Sequence, residues 1–125
     1  MLDRNVERAA LTTIYFLLTE GEFSRWHRVD SDEIWHYHEG DAIELLLFDD
    51  RGLRRLRLGP VARETRPTVI VPAGTWQAAR TTGAYTLSAC IVGPGFEFAD
   101  FSLAVDWPDV AARIADAGSD LAQFI

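Results

Sequence analysis

Ser24-Arg-Trp-His-Arg-Val-Asp-Ser-Asp-Glu-Ile-Trp-His-Tyr-His-Glu-Gly-Asp41 is the stretch on which the reading of this chain turns. It holds all three histidines (His27, His36, His38), two of the four tryptophans (Trp26, Trp35) and a dense set of carboxylates. Strand-forming residues alternate with polar ones throughout it. Residues 25–29 and 33–38 read as two strands separated by the turn Asp30-Ser31-Asp32. Glu39-Gly40-Asp41 then turns the chain as a hairpin, because glycine supplies the positive φ that such a turn needs. A period of two places Glu33, Trp35 and Tyr37 on one face and Ile34, His36 and His38 on the other. The two neighbouring imidazoles therefore do not converge with Glu33 unless a bulge intervenes.

The same alternation continues on both sides. Residues 11–18 are β-branched and aromatic and are bounded by Glu20-Gly21, the pattern of a buried strand. Residues 43–48 form a very apolar strand, Asp49-Asp50-Arg51-Gly52 is a turn, and residues 53–58 interleave leucine with arginine. Residues 68–71 make a short strand that ends at Pro72-Ala73-Gly74. Residues 76–80 and 84–92 read as a hairpin through Thr82-Gly83. After the break at Gly93-Pro94-Gly95, residues 96–105 read as a ninth strand. Short strands with turns at this spacing predict a β-sandwich or barrel, with Leu45, Leu47, Ile70 and Leu87 facing the core. Pro108 in a first turn and Gly118 at the end mark one helix. The chain is read as a single all-β domain over 1–125, with a barrel at about 9–105 and a helical tail at about 106–125.

Composition removes several function classes. The 125 residues carry a net charge of -7, which disfavours nucleic acid and anionic membrane surfaces as partners. All twelve basic residues are arginine, so Schiff-base chemistry and phosphate-loop motifs lack their lysine. No apolar run is long enough to cross a bilayer and no basic-then-apolar leader is recognisable. The single Cys90 reads as a small core residue, and a cytoplasmic location is expected.

The chemistry-bearing candidates all lie in or opposite the opening stretch. His27 is the candidate base, with Asp32 or Glu33 to orient it and Tyr37 as proton donor. Arg28 is expected to hold an anionic group, and Trp35 and Trp76 to stack on a ligand.

These residues resemble a known family. Asp32-Glu33-x-Trp35-x-Tyr37-x-x-Gly40 is similar to the first motif of the cupins, and Arg66-x5-Pro72-x-Gly74-x-x-Gln77 to the second. Four motifs in order, over about residues 9–104, resemble the fifth cupin family of small proteins of unknown function: Ile14-Tyr-Phe-Leu-Leu18, Ser24-x-Trp26-His27-Arg28-x-x-Ser-Asp-Glu33-Ile-Trp35-His36, Val71-Pro-x-Gly-x-Trp76-Gln77 and Pro94-Gly-Phe-x-Phe-x-Asp-Phe101. The resemblance implies a double-stranded β-helix, the cupin jelly roll related to deoxysugar-nucleotide epimerases. It further implies a homodimer and a pocket inside the barrel.

By position Glu33 matches the metal-binding glutamate of metal cupins, and Gln77 falls where they carry a later histidine. Their His-x-His corresponds to Trp26 and Arg28, or to His27 if the following turn is one residue longer. Family members also carry an upstream His-Pro-Glu-Gly-Gly-like segment that is not found ahead of Ile14. A partner subunit or the C-terminal helix is expected to supply that part of the pocket wall.

The resulting expectation is a small-molecule pocket for a sugar-nucleotide-like or small acidic ligand. His27, Glu33 and Tyr37 would be catalytic there, and Ser24, Trp26, Arg28, Trp35, Trp76 and Gln77 would bind the ligand. No cofactor is expected. The alternatives are a metal-dependent oxygenase or isomerase, with a divalent transition metal on His27, Glu33 and Gln77, and a non-catalytic dimeric binding module.

Overall fold

The computed structural model describes residues 7–125. Nine strands appear in chain order: β1 (Thr12–Thr19), β2 (Phe23–Val29), β3 (Asp32–Gly40), β4 (Ile43–Asp49), β5 (Gly52–Leu58), β6 (Thr68–Val71), β7 (Trp76–Thr81), β8 (Tyr85–Gly93) and β9 (Phe101–Leu103). One α-helix, α1 (Pro108–Ala117), follows, with Pro108 in its first turn as its missing N–H allows. The strands form two antiparallel sheets with orders β1-β8-β3-β6 and β5-β4-β7-β2-β9. Face to face they make the jelly roll that the resemblance implies.

The strand positions agree with the turn chemistry, but the connections differ from expectation. Among the described residues only the β4–β5 turn closes a hairpin. The turns at Asp30-Ser31, Glu39-Gly40-Asp41 and Thr82-Gly83 each carry the chain from one sheet to the other. The expected ninth strand over 96–105 shrinks to three residues, because 3-10 turns occupy Phe98–Asp100 and Ala104–Asp106.

Two hydrophobic clusters hold these layers. Between the sheets lie Trp35, Ile43, Leu45, Leu47, Leu58, Val69 and Val71, all buried. Behind the five-stranded sheet, Trp26, Leu46, Phe48 and Trp76 are covered by Ile114, Leu121 and Phe124. Residues 45–48 are apolar without interruption because this part of β4 is buried on both faces, Leu45 and Leu47 inward and Leu46 and Phe48 under the C-terminal segment. The Trp26 indole N–H donates to the Leu121 carbonyl at 3.1 Å and ties that segment down.

Two core expectations are corrected. Val69 and Val71 point inward, so Ile70 between them faces out and is 62% exposed. Leu87 is likewise on the outer face, while the inward positions of β8 include Thr86 and Ser88. Their hydroxyls are satisfied inside, Thr86 by the Asp41 carbonyl and Thr81, and Ser88 by the Phe16 carbonyl.

Candidate active site

A cavity of about 620 Å³ opens between the two sheets. Its polar lining includes Ser24, Arg25, His27, Glu33 and Cys90, and its aromatic lining is Phe16, Trp35, Phe96 and Phe101. The loop carrying Phe96 is fixed by three hydrogen bonds. Its backbone N–H donates to Thr12 Oγ1 at 2.8 Å, and the Arg8 guanidinium donates to the Gly95 carbonyl at 2.8 Å and to Asp100.

β2 brings His27 to this wall. The β2–β7 register shifts between Ser24 and His27, a bulge that lets the adjacent residues Ser24 and Arg25 both border the cavity. From there the alternation places Arg25, His27 and Val29 inward, and Trp26 and Arg28 on the opposite face. His27 Nδ1 lies 2.7 Å from the Arg25 carbonyl oxygen, which can only accept, so Nδ1 carries the ring hydrogen. The ring stacks on Phe101 with centroids 5.5 Å apart and planes 24° from parallel. Burial lowers the His27 pKa below its usual value, and the bond to the Arg25 carbonyl opposes that more weakly. His27 is half-buried by surface area, its accessible surface belonging to the cavity that it lines. The lowered pKa favours the neutral imidazole, and with the hydrogen on Nδ1 its Nε2 is the unprotonated nitrogen.

Glu33 approaches from β3. The Trp35 indole N–H donates to Gln77 Oε1 at 2.8 Å, and Gln77 Nε2 donates to Glu33 Oε1 at 2.7 Å. The order of this relay has no freedom. An indole N–H only donates, so Trp35 takes the amide oxygen of Gln77 and turns the amide nitrogen to Glu33. Glu33 Oε1 must then accept, and any proton on the carboxyl sits on Oε2. Burial raises the Glu33 pKa above the ordinary carboxyl range, while the Gln77 amide and, secondarily, the Cys90 thiol beside it pull it back. The Cys90 thiol is pushed far up by burial and then by the Glu33 charge, which makes it an inert, protonated wall.

Of the expected site residues, the structure brings Ser24, His27, Glu33 and Trp35 to one cavity. It places the others elsewhere. Tyr37 packs against the inner core and its hydroxyl donates to the Gly40 carbonyl at 2.6 Å, so it does not serve as a donor to this cavity. Trp26 and Trp76 are buried behind the five-stranded sheet. Arg28 lies there too, its guanidinium carbon 5.0 Å from the Trp76 and Trp107 rings. Gln77 stands behind Glu33 and is 1% exposed. Asp32 accepts from the Ala73 backbone N–H at 2.9 Å and orients that turn rather than His27. The C-terminal helix does not complete the pocket wall, since it covers the outer face of the other cluster. His36 and His38 sit on the exposed outer face of the four-stranded sheet, rings 5.4 Å apart. Arg25, exposed at the border of the cavity, is the residue that the opening reading passed over. Its signal was the period of two counted back from His27, hidden by the bulge.

A transition metal does not fit these donors. Both polar ends of the Gln77 amide are engaged, and the positions expected for a His-x-His pair face away in Trp26 and Arg28. Among the described residues no three His, Cys, Asp or Glu side chains are grouped as a metal site.

Comparison with known proteins gives the relatives of the chain. A protein of Shewanella oneidensis shares 30% identity with a TM-score of 0.76, over 94% of this chain and 80% of that one. A hypothetical protein from Leishmania major shares 31% identity with a TM-score of 0.76, over 94% of this chain and 75% of that one. A dTDP sugar isomerase from Desulfovibrio desulfuricans matches at 16% identity with a TM-score of 0.69, over 98% and 82% of the two chains, which is a likeness of fold. No curated protein matches the chain. The profile of the family described as Cupin superfamily (DUF985) matches residues 2–104, and the chain belongs to that family.

Proposed function

We propose that the barrel cavity binds a small, largely apolar molecule carrying a carbonyl or carboxylate group. In this reading His27 is a metal-free general base and Glu33 its partner acid. The observation that carries the reading is the bond from His27 Nδ1 to the Arg25 carbonyl, which leaves Nε2 as the free base in a cavity that also holds a buried carboxyl. His27 Nε2 takes a proton from the carbon next to a carbonyl. Glu33 Oε2–H donates to the carbonyl oxygen, where the electron pair collects, and His27 returns the proton. Arg25 attracts the acid group and the aromatic walls hold the apolar body. A cavity of about 620 Å³ suits one small ligand. A single guanidinium favours a small acid over a sugar nucleotide, whose diphosphate brings more charge than Arg25 can meet.

The test is deuterium exchange at the α-carbon of small 2-oxo and aryl-substituted acids in heavy water, followed by NMR. Exchange should be catalysed by the wild type and fall about 10²- to 10⁴-fold in His27→Ala, the usual worth of a general base. Binding without exchange, unchanged in His27→Ala, would point instead to the non-catalytic module.

A second copy of the chain is the proposed partner, at the outer face of the four-stranded sheet. The polarity of β8 supports this: its inward residues include Thr86 and Ser88, whereas Tyr85, Leu87 and Ile91 face out beside Tyr15, Leu17 and Ile70. Glu39, the carboxylate beside Leu87, accepts from the Tyr85 hydroxyl at 2.8 Å, and the other named residues of this face carry no carboxylate, so two chains of charge -7 meet little repulsion there. Sedimentation of Leu17→Glu against wild type tests it, with a dimer expected for the wild type and a monomer for the variant. The buried free thiol of Cys90 supports a reducing, cytoplasmic setting. Among the described residues, no helix is long and apolar enough to cross a membrane.

A further inference from the structure

Residues 51–66 contain six of the twelve arginines (Arg51, Arg54, Arg55, Arg57, Arg63, Arg66) and a single acid, Glu64, in a chain whose net charge is -7. The fold gathers four of them around one cleft. After β5 the loop doubles back: the Gly59 N–H donates to the Arg66 carbonyl at 2.9 Å, and the Arg66 N–H donates to the Arg57 carbonyl at 3.1 Å. Thr65 Oγ1 caps the Pro60 carbonyl within the loop. The cleft so formed, about 420 Å³, is bordered by Arg55, Arg57, Arg63, Arg66, Glu64 and Thr65.

These guanidiniums are not alike. Arg55 is held by Glu44 at 3.1 Å and Asp120 at 3.1 Å, and Glu44 also takes Arg80 at 3.3 Å. Among the described residues, Arg57, Arg63 and Arg66 have no ion-pair partner within 4.0 Å. Three guanidiniums without an ion pair border one concavity whose lining holds Glu64 as its acid, and Glu44, across from Arg57 on β4, is already engaged by Arg55 and Arg80.

We propose that this cleft, separate from the barrel cavity, binds a compact, multiply charged phosphate anion. The planar fork of arginine matches phosphate oxygens two at a time, and no lysine competes for the role. The acidic remainder of the surface repels an extended polyanion such as nucleic acid, whereas a di- or triphosphate fits within the basic concavity.

The test is calorimetric titration of inorganic tripolyphosphate into the full chain at low ionic strength. The expected result is saturable binding of one equivalent, weakened about tenfold in Arg57→Gln and in Arg66→Gln, the value of a charge-assisted hydrogen bond. Arg113→Gln removes the same charge from a distant pair with Asp50 and should leave the affinity within about twofold, as for a surface ion pair. Near-UV circular dichroism establishes that each variant is folded. A nucleoside triphosphate that binds more tightly than tripolyphosphate supports the site and assigns the phosphates to a nucleotide, while equal affinity supports it and assigns them to free phosphate chains. Absence of saturable heat overturns the proposal. So does equal weakening by Arg113→Gln and Arg66→Gln, which would reduce the effect to net charge.

Discussion

Replacing Glu33 with glutamine separates the electrostatic cost of the buried carboxyl from its hydrogen bonding. Glu33 is 7% exposed, and burial raises its pKa above the ordinary 4.5. The folded protein then keeps a proton that the unfolded chain has already lost. The carboxyl's contribution to stability is whole below the unfolded value and is lost as the pH rises through the folded one. Across that window stability falls with a slope of at most about 1.4 kcal/mol per pH unit, the free energy of one proton. In the Glu33→Gln variant the side-chain carbonyl still accepts from Gln77 Nε2, and there is no proton to lose.

His27 acts in the opposite sense. Its pKa is lowered by burial, so its contribution is present above 6.5 and is lost as the pH falls through the folded value. Because His27 is present in both proteins, the difference between their stabilities at each pH isolates Glu33. Urea unfolding from about pH 4 to about pH 9 measures it, with free energies extrapolated to water. The variant should gain on the wild type as the pH rises through the window, then hold a constant lead. Parallel curves over the whole range would refute the reasoning, because they would mean that folding leaves the Glu33 proton where it was.

Three further outcomes follow from the packing. Gln77→Leu strands the Trp35 indole N–H and the Glu33 carboxyl in the interior, and should cost about 2–6 kcal/mol in urea unfolding, two lost partners at about 1–3 kcal/mol each. Trp26→Ala empties the centre of the outer cluster and should cost about 3–5 kcal/mol, whereas Trp26→Phe loses chiefly the bond to Leu121 and should cost about 1–2 kcal/mol; amide exchange over 108–125 should rise in both. Gly40 has φ +92° and an added Cβ would meet the Tyr85 carbonyl, so Gly40→Ala should lower stability by roughly 1–3 kcal/mol in thermal melts.

Strand positions were legible in the sequence because each turn is written in glycine, proline or aspartate: Gly21, Gly40, Gly52 and Gly74 all take the positive φ that L-residues avoid. The sheet that receives each strand was not legible. Local turn chemistry says that the chain reverses, and the same glycine serves a hairpin and a crossing between sheets. The facing of Ile70 and Leu87 was hidden for a related reason. Hydrophobicity implies burial only where one face is wet, and here the outer face of the four-stranded sheet is itself apolar.

At the site, the period of two on β3 placed Glu33 and Trp35 together and His36 with His38 on the opposite face. On β2 the bulge between Ser24 and His27 moved the phase, which sends Trp26 and Arg28 to the tail and leaves Arg25 at the cavity. Gln77 read as a weak metal ligand because its meaning lies in Trp35, 42 residues away, and becomes visible only when β3 and β7 face each other. The turn between β7 and β8, read as a hairpin, concealed that arrangement too.

The protonation of His27 is the claim on which the proposed chemistry rests. A long-range ¹H–¹⁵N correlation spectrum at neutral pH reports it directly. The account predicts a neutral ring with the hydrogen on Nδ1 and an unprotonated Nε2 whose signal moves when a small acid fills the cavity. An imidazolium, or a neutral ring with the hydrogen on Nε2, would contradict it.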